Sequence, residues 1–518
     1  MTRFAVRDPD WWSRAILVVA SLGAAVTAFY VIRLIATTFM DAQVIHEAME
    51  PAALFSARAI GDGGLAAAYP ADWMAAEHPL ILTPYPPFFH LLWLGATMVL
   101  GGEWSYFAGR VIADVALVGI VLAIYGCART QGVSRMTALP FALIFLTPIP
   151  VANWAGVARV DIPAISLTLL GFLIYLRTAD SEGRKYLYAA IPFILAGLTK
   201  QNVIAAPGAV IFAELARRRY DRAGLLALVT GGGTLGVFLL LNVASGGGFF
   251  NATINSLAEE IFFIAGIGLA FDFLLSGPTL VAISALAVSP LILRRVQQPA
   301  ILLYLAMNLF VLAMTIGKPG SNVNYYLEPI AALCIAAAVG FQALRERSVR
   351  VQLVAAAALA ICVVWSAVQY IPQYKIRYVT KRFVIANQQR GYALSPDIAA
   401  GPVIAPPGFY LLFDEPRPTI YTNDLYTFGA MAAWGKLFDA QRVIDDFRSH
   451  RIKAVLIGSR MLDDTDHLFI GDWRRGWNFW SVPGFKEALL ESYELAGETP
   501  MGLLLFMPRA AGVDESVQ

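Results

Sequence analysis

A series of apolar runs, each about 17–25 residues long, recurs between residues 15 and 371 of this chain. In hydrocarbon, segments of that length can satisfy their backbone polar groups only as helices, so the pattern dictates a polytopic α-helical membrane protein. Composition agrees: 58% of the 518 residues are apolar, 15% are charged, and mean hydropathy is +0.61. Cys127, Cys334 and Cys362 all fall inside apolar runs without metal-ligand spacing, and read as small buried hydrophobes. A net charge of +2 offers nothing for nucleic acid, so the informative charge is local. The first apolar run follows Arg3, Arg7, Trp11, Trp12 and Arg14 without a cleavage pattern, and is long enough to remain as a span.

Basic clusters set the topology. Residues 88–101 are short and led by Pro86-Pro87. If they cross, Arg129/Arg135 and Arg294/Arg295 fall outside. If they lie at the interface, Arg129/Arg135, Arg177/Arg184/Lys185, Arg217/Arg218/Arg219/Arg222, Arg294/Arg295 and Arg345/Arg347/Arg350 all fall inside. The positive-inside rule selects the second arrangement. It predicts about eleven spans, near 15–40, 105–127, 136–153, 162–177, 186–199, 202–217, 223–243, 272–293, 299–317, 325–344 and 350–371. The amino terminus is then cytoplasmic. Residues 244–270 form an external loop, read as a glycine hinge followed by an amphipathic interfacial helix.

Beyond residue 371 the apolar runs shorten and charges return. Residues 372–518 are expected to be a soluble α/β domain on the external side. Its predicted strands are 401–406, 452–459 and 502–508, and its predicted helices are 439–450 and 482–492.

The external loop at 41–104 carries Asp41, Glu47, Glu50, Asp62, Asp72 and Glu77, with Arg58 as its one strong base before residue 90. Glu50 precedes Pro51 and a helix-like A-A-L-F-S-A-R-A-I, which places it at the helix N-cap or just before it. It is the first candidate for a proton-accepting carboxylate, and a solvated acid at a helix start is the plain alternative. Asp41 is second, as a group at the membrane exit. His46 with Glu47 is half of a metal site at most.

Three more external groups hold ionisable residues. Arg159-Val160-Asp161 lies in the turn between the third and fourth spans, where charges serve a cavity or simply pair with each other. Lys200 and Gln201 fall in L-T-K-Q-N between the fifth and sixth spans; Lys200 either binds an anion or snorkels. Residues 318–328, K-P-G-S-N-V-N-Y-Y-L-E, bring Lys318, Asn324, Tyr325 and Glu328 to the start of the tenth span. They contact sugar hydroxyls there or form an interfacial belt. Asp114 and Asp272, alone on apolar helices, read as internal pairing partners.

Taken in order, Glu50 with A-R-A-I-G-D-G-G downstream, Tyr85-Pro86-Pro87, Arg110, Arg159-Val160-Asp161, L-T-K-Q at 198–201 and N-Y-Y-L-E at 324–328 resemble the membrane-embedded GT-C glycosyltransferases. The pattern is closest to protein O-mannosyltransferase-like enzymes and to bacterial lipid A aminoarabinose and galacturonate transferases, and it covers most of residues 1–371. Two departures are visible. Pro84 and Tyr85 stand where aminoarabinose transferases place a Glu-Lys pair, and the acidic pair of the catalytic position is reduced to Met49-Glu50.

The resemblance implies a catalytic domain over 1–371 and a periplasmic domain over 372–518, in a multi-pass protein of the bacterial inner membrane. It implies Glu50 as catalytic carboxylate, Asp161 as a second catalytic acid, and inverting hexosyl or pentosyl transfer to a lipid, glycan or protein acceptor. Outside the cytoplasm nucleotide sugars are absent, so the donor would be a polyprenyl-phosphate sugar whose phosphate is already a good leaving group. What remains for the protein is a base for the acceptor and cations for the phosphate. Arg58, Tyr85, Arg159, Lys200, Gln201, Lys318, Asn324, Tyr325 and Glu328 are the expected substrate contacts. No metal ligand set is assigned, with a divalent cation left open as cofactor. The competing class is a transporter or flippase for a lipid-linked or small polar substrate. Against it stand the lack of repeat symmetry and of paired broken helices.

Overall fold

The computed structural model describes residues 9–40, 50–74, 80–100, 106–257, 262–292, 299–318, 321–388, 401–405, 419–423, 425, 428, 439–458, 482–499 and 503–509. Asp41, His46, Glu47, Met49 and Glu77 lie outside them. The chain divides into two compact units. One comprises Met1–Met40, Arg110–Val237 and Glu260–Val379; the other comprises Asp41–Gly109, Phe238–Glu259 and Thr380–Gln518.

The first unit is helical. Among the described residues seven helices of the chain are long and apolar enough to cross a membrane: Ala15–Arg33, Phe107–Thr130, Asp161–Thr178, Tyr220–Ala244, Pro299–Ile316, Val323–Leu344 and Val349–Gln369. The pair Phe263–Leu275 and Pro278–Ser289, bent by 104°, makes an eighth if counted as one span. Three further expected spans are the shorter helices Arg135–Ile144, Lys185–Gly197 and Ala205–Ala216. The protein is a multi-pass membrane protein.

Proline explains where the helices depart from the expected runs. Residues 136–153 do not form one helix. Arg135–Ile144 ends before Pro148, and a new helix, Ile149–Trp154, starts with Pro150 in its first turn, where a missing N–H costs nothing. The expected span at 272–293 is likewise interrupted at Gly277-Pro278. Val323–Leu344 is the most buried span, and its small residues let neighbours approach closely. A Cβ on Gly340 would stand 2.0 Å from the Leu286 carbonyl oxygen, so that contact requires glycine. Elsewhere the spans show apolar side chains on their outer faces, such as Leu22, Phe29, Val115 and Leu240, as lipid-facing helices must.

The second unit joins the loop after the first span to the carboxyl-terminal region. On sequence that loop was expected to belong with the membrane part. Helix Glu50–Ala68 runs straight until Gly64, whose φ of 70° breaks it. Helix Phe88–Leu100 packs along it, with Leu94 3.1 Å from where a Gly61 Cβ would lie. At 13 residues it is about 20 Å long, short of the ~30 Å hydrocarbon core.

Five strands form a mixed sheet in the order β2-β1-β3-β5-β4: β1 Pro402–Ile404, β2 Thr419–Ile420, β3 Ala454–Gly458, β4 Tyr493–Glu498 and β5 Leu503–Pro508. β2 and β3 run parallel to β1, and β5 is antiparallel to both β3 and β4. Helix Ala440–Arg448 is capped by the Asp439 carboxylate, which accepts from the Gln441 and Arg442 N–H groups. Its Phe447 packs against Phe485 of helix Phe485–Ser492 and against Tyr493. β4 begins directly after that helix. Only Tyr493 of its six residues is buried, which is why Y-E-L-A-G-E carries no strand-like alternation.

Candidate functional site

In the membrane unit, three segments far apart in sequence, 154–161, Lys200 and Asn324, meet at Asp161. This residue opens helix Asp161–Thr178 and is fully buried. The positive end of the helix dipole favours a carboxylate there. Its Oδ1 accepts from Lys200 Nζ at 2.6 Å and from Asn324 Nδ2 at 2.7 Å. Its Oδ2 accepts from Trp154 Nε1 at 3.2 Å and lies 3.2 Å from Arg159 Nε. Two donors on each oxygen fill the lone-pair positions of a carboxylate.

Local structure delivers each partner. Gly156, at a φ of 72°, turns the chain after helix Ile149–Trp154, so Trp154 and Arg159 return to the same carboxylate. Lys200 follows helix Ala190–Gly197, and its N–H bonds the Ala196 carbonyl at 2.8 Å, near the helix end that favours a cation. Asn324 belongs to the 3-10 turn Val323–Tyr326 before helix Leu327–Arg347. Arg159 stacks over Trp154 at 5.7 Å, and Lys200 Nζ sits 4.9 Å from the Tyr325 ring centroid. Arg159 and Lys200 both pair with the Asp161 carboxylate, and Glu328 borders the same pocket as Lys200.

A small pocket of mixed lining adjoins the cluster, bordered by Lys200, Asn202, Asn308, Asn324, Tyr325 and Glu328 among apolar residues. Glu328 is buried, and Tyr304 donates to its Oε1 at 3.0 Å. Asn308 donates to the Tyr304 carbonyl oxygen at 3.0 Å. Trp154, Tyr304 and Asn308 were not singled out from the sequence, although a lone Asn inside an apolar run is a recognisable mark.

The opposite end of helix Asp161–Thr178 is basic. Arg219 and Arg222 donate to the Ala179 carbonyl oxygen, and Arg217 and Arg219 pair with Asp180, both at 3.3 Å. Eighteen residues place this basic end about 27 Å from Asp161.

In the second unit, Glu50 is fully buried as the first residue of its helix. Arg58, two turns further along, is partly exposed and pairs with Asp62 at 3.1 Å. Tyr85 is half-buried, and its carbonyl oxygen accepts from the Tyr69 hydroxyl at 2.7 Å. Burial pushes that Tyr69 phenol well above its ordinary range.

Of the expected substrate contacts, the structure therefore brings Arg159, Lys200, Asn324, Tyr325 and Glu328 together with Asp161. Gln201 is half-buried next to Lys200. Lys318 is half-buried in a turn, where its N–H bonds the Thr315 carbonyl at 3.3 Å. Among the described residues no three His, Cys, Asp or Glu side chains converge as metal ligands.

No protein-family model matches this sequence, and no curated protein matches it. Solved structures do. ArnT from Cupriavidus metallidurans bound to undecaprenyl phosphate superposes with a TM-score of 0.58 at 14% identity, covering 95% of this chain and 98% of that one. Its apo state gives 0.55 at 13% identity, covering 92% and 97%. The Archaeoglobus fulgidus oligosaccharyltransferase in the apo form gives 0.51 at 12% identity, covering 98% of this chain and 75% of that one. At such identities the likeness is one of fold, shared with ArnT and with the archaeal oligosaccharyltransferase.

Proposed function

We propose that this protein transfers a sugar, a hexose or pentose, from a polyprenyl-phosphate carrier to a lipid, glycan or protein acceptor on the periplasmic face of a bacterial inner membrane. The observation that carries this reading is the buried trio of Arg159, Asp161 and Lys200, two cations preorganised on one carboxylate at the end of its helix opposite the basic one. If the basic end is cytoplasmic, the trio faces outward. There it fits the lipid-linked phosphate that the ArnT structure is described as binding.

In this mechanism Glu50 takes the acceptor's proton as the acceptor oxygen bonds the anomeric carbon. The bond from that carbon to the carrier's phosphate oxygen breaks, its electron pair leaves on the polyprenyl phosphate, and the anomeric configuration inverts. Arg159 and Lys200 neutralise the departing phosphate. Asp161, with both oxygens engaged, acts by holding these two cations rather than by moving a proton. Asn324, Tyr325 and Glu328, gathered beside the same cluster, would contact the sugar hydroxyls. The described residues offer no ligand set for a divalent cation, and no step is routed through one.

The test uses membranes supplied with a panel of radiolabelled polyprenyl-phosphate sugars. Wild type transfers label from one donor, and Glu50→Gln slows that transfer by roughly 10²–10⁴-fold. Equal rates for the two proteins would remove Glu50 as the base. Absence of transfer from every donor would count against the enzyme itself.

A further inference from the structure

Beside the apolar cluster that Ile420 forms with Phe55 and Ile81, a buried neutral side chain of the carboxyl-terminal domain reaches the Glu50 helix. Asn423, three residues beyond β2, is fully buried. Its Oδ1 accepts the Leu82 N–H at 2.8 Å, and its Nδ2 donates to the Leu82 carbonyl oxygen at 3.0 Å. That fork copies the pairing of a strand neighbour. Through its second N–H the same Nδ2 donates to the Ala52 carbonyl oxygen, in the first turn of helix Glu50–Ala68, at 3.4 Å.

The two residues before Asn423 extend the same junction. The Leu80 N–H bonds the Tyr421 carbonyl at 2.9 Å, and Thr422 Oγ1 donates to the Leu80 carbonyl at 3.0 Å. On the helix side, Ser56 Oγ donates to the Ala52 carbonyl at 2.8 Å and accepts from Thr83 Oγ1 at 2.8 Å. Thr83, Ser56, Ala52, Asn423 and Leu82 thus form a closed polar ring, buried at every side chain. Glu50 stands two residues ahead of the ring's Ala52.

We propose that Asn423 is a positioning residue for Glu50, so that the carboxyl-terminal domain sets the aim of the catalytic carboxylate. This rests on Glu50 being the base. The ring fixes the first helical turn from two sides, and a base displaced by about 1 Å loses on the order of 10²-fold in rate. Asn423 touches neither donor nor acceptor in this scheme, so the effect falls on turnover and not on donor binding.

The experiment is a double-mutant cycle on the full-length protein, using the radiolabelled polyprenyl-phosphate sugar that wild-type membranes turn over. Asn423→Ala lowers kcat by about tenfold or more with the donor KM within about twofold, and changes the residual rate of Glu50→Gln by less than about twofold. Equal fold-losses in both backgrounds, or a loss carried by KM, overturn the proposal while leaving Glu50 as base. Wild-type turnover by Glu50→Gln removes the base itself, and the positioning role with it. If Asn423→Ala does not accumulate as folded protein, Ser56→Ala opens the ring from the helix side and leaves the fork to Leu82 intact. It gives the same split of kcat against KM and the same silence in the Glu50→Gln background, and additivity there overturns the proposal equally.

Discussion

In the membrane unit Asp161 gathers Lys200, Arg159, Trp154 and Asn324 on one carboxylate, whereas in the second unit Asn423 holds Leu82 and Ala52 with a neutral carboxamide. Both groups are buried, and both tie distant segments together. They differ in what burial costs. The carboxylate and its cations give up strong hydration and must recover it through each other and through neutral donors such as Trp154 and Asn324, while the carboxamide exchanges water for equivalent backbone partners. A charged cluster is a dear way to hold helices together. In the proposed reading its two preorganised cations serve the carrier phosphate rather than stability.

That contrast breaks first at Asp161. Asp161→Ala leaves Arg159 and Lys200 buried without their shared anion, and is expected to destabilise the protein by about 3–5 kcal/mol, read from thermal or denaturant unfolding in detergent. Adding Lys200→Met to Asp161→Ala removes one of the stranded charges and recovers part of that loss. A double variant as unstable as the single one would mean that packing, and not charge, holds this corner. The same double variant is expected to be inactive, since the phosphate then faces one cation fewer.

The sequence exposed the charged cluster far better than the neutral one. Arg159, Asp161, Lys200 and Glu328 stand at the ends of apolar runs, where an ionisable residue is conspicuous. Their partners do not. Trp154 and Tyr304 are aromatics in apolar windows, and nothing in their spacing says that an N–H or O–H turns toward a carboxylate. Asn423 sits in Y-T-N-D, which reads as a turn, because a side chain that copies a backbone strand pair leaves no periodic trace. Fold legibility follows the same physics. Long apolar runs announced the spans, but Pro148 and Pro278 end helices that hydropathy alone carries through. β1, β3 and β5 announced themselves by continuous apolar residues, while β2, only two residues long, and the mostly exposed β4 did not.

A smaller effect is expected in the second unit's own charged contact. Tyr421 donates to Asp446 Oδ2 at 2.9 Å, and Arg451 reaches Asp446 Oδ1 at 2.8 Å. Burial and the neighbouring carboxylate both push the Tyr421 phenol up, so it stays a donor across the working pH range. Tyr421→Phe removes one hydrogen bond to a charged acceptor and should cost about 1.5–3 kcal/mol in unfolding free energy. Arg451 remains beside the carboxylate, which keeps the loss below that expected at Asp161. A cost equal to that of Asp161→Ala would erase the distinction between the two regions.

The smallest effect belongs to Arg58, and it sharpens the comparison from the other side. Its guanidinium pairs with Asp62 one turn along the same helix, both partly in solvent, and such i,i+4 pairs contribute about 0.3–0.5 kcal/mol. Loss of the Asp62 pair in Arg58→Ala should therefore change unfolding stability by about that amount, since solvent screens both groups. Donor KM is the more discriminating readout. Arg159 and Lys200 are held in place by a buried anion, whereas Arg58 and Asp62 are exposed enough for water to screen them, so Arg58→Ala should leave donor KM unchanged. A several-fold rise in KM with stability intact would put Arg58 on the carrier phosphate. Cation placement for the phosphate would then no longer be confined to the membrane unit, and the division between a charged region and a neutral one would have to be redrawn.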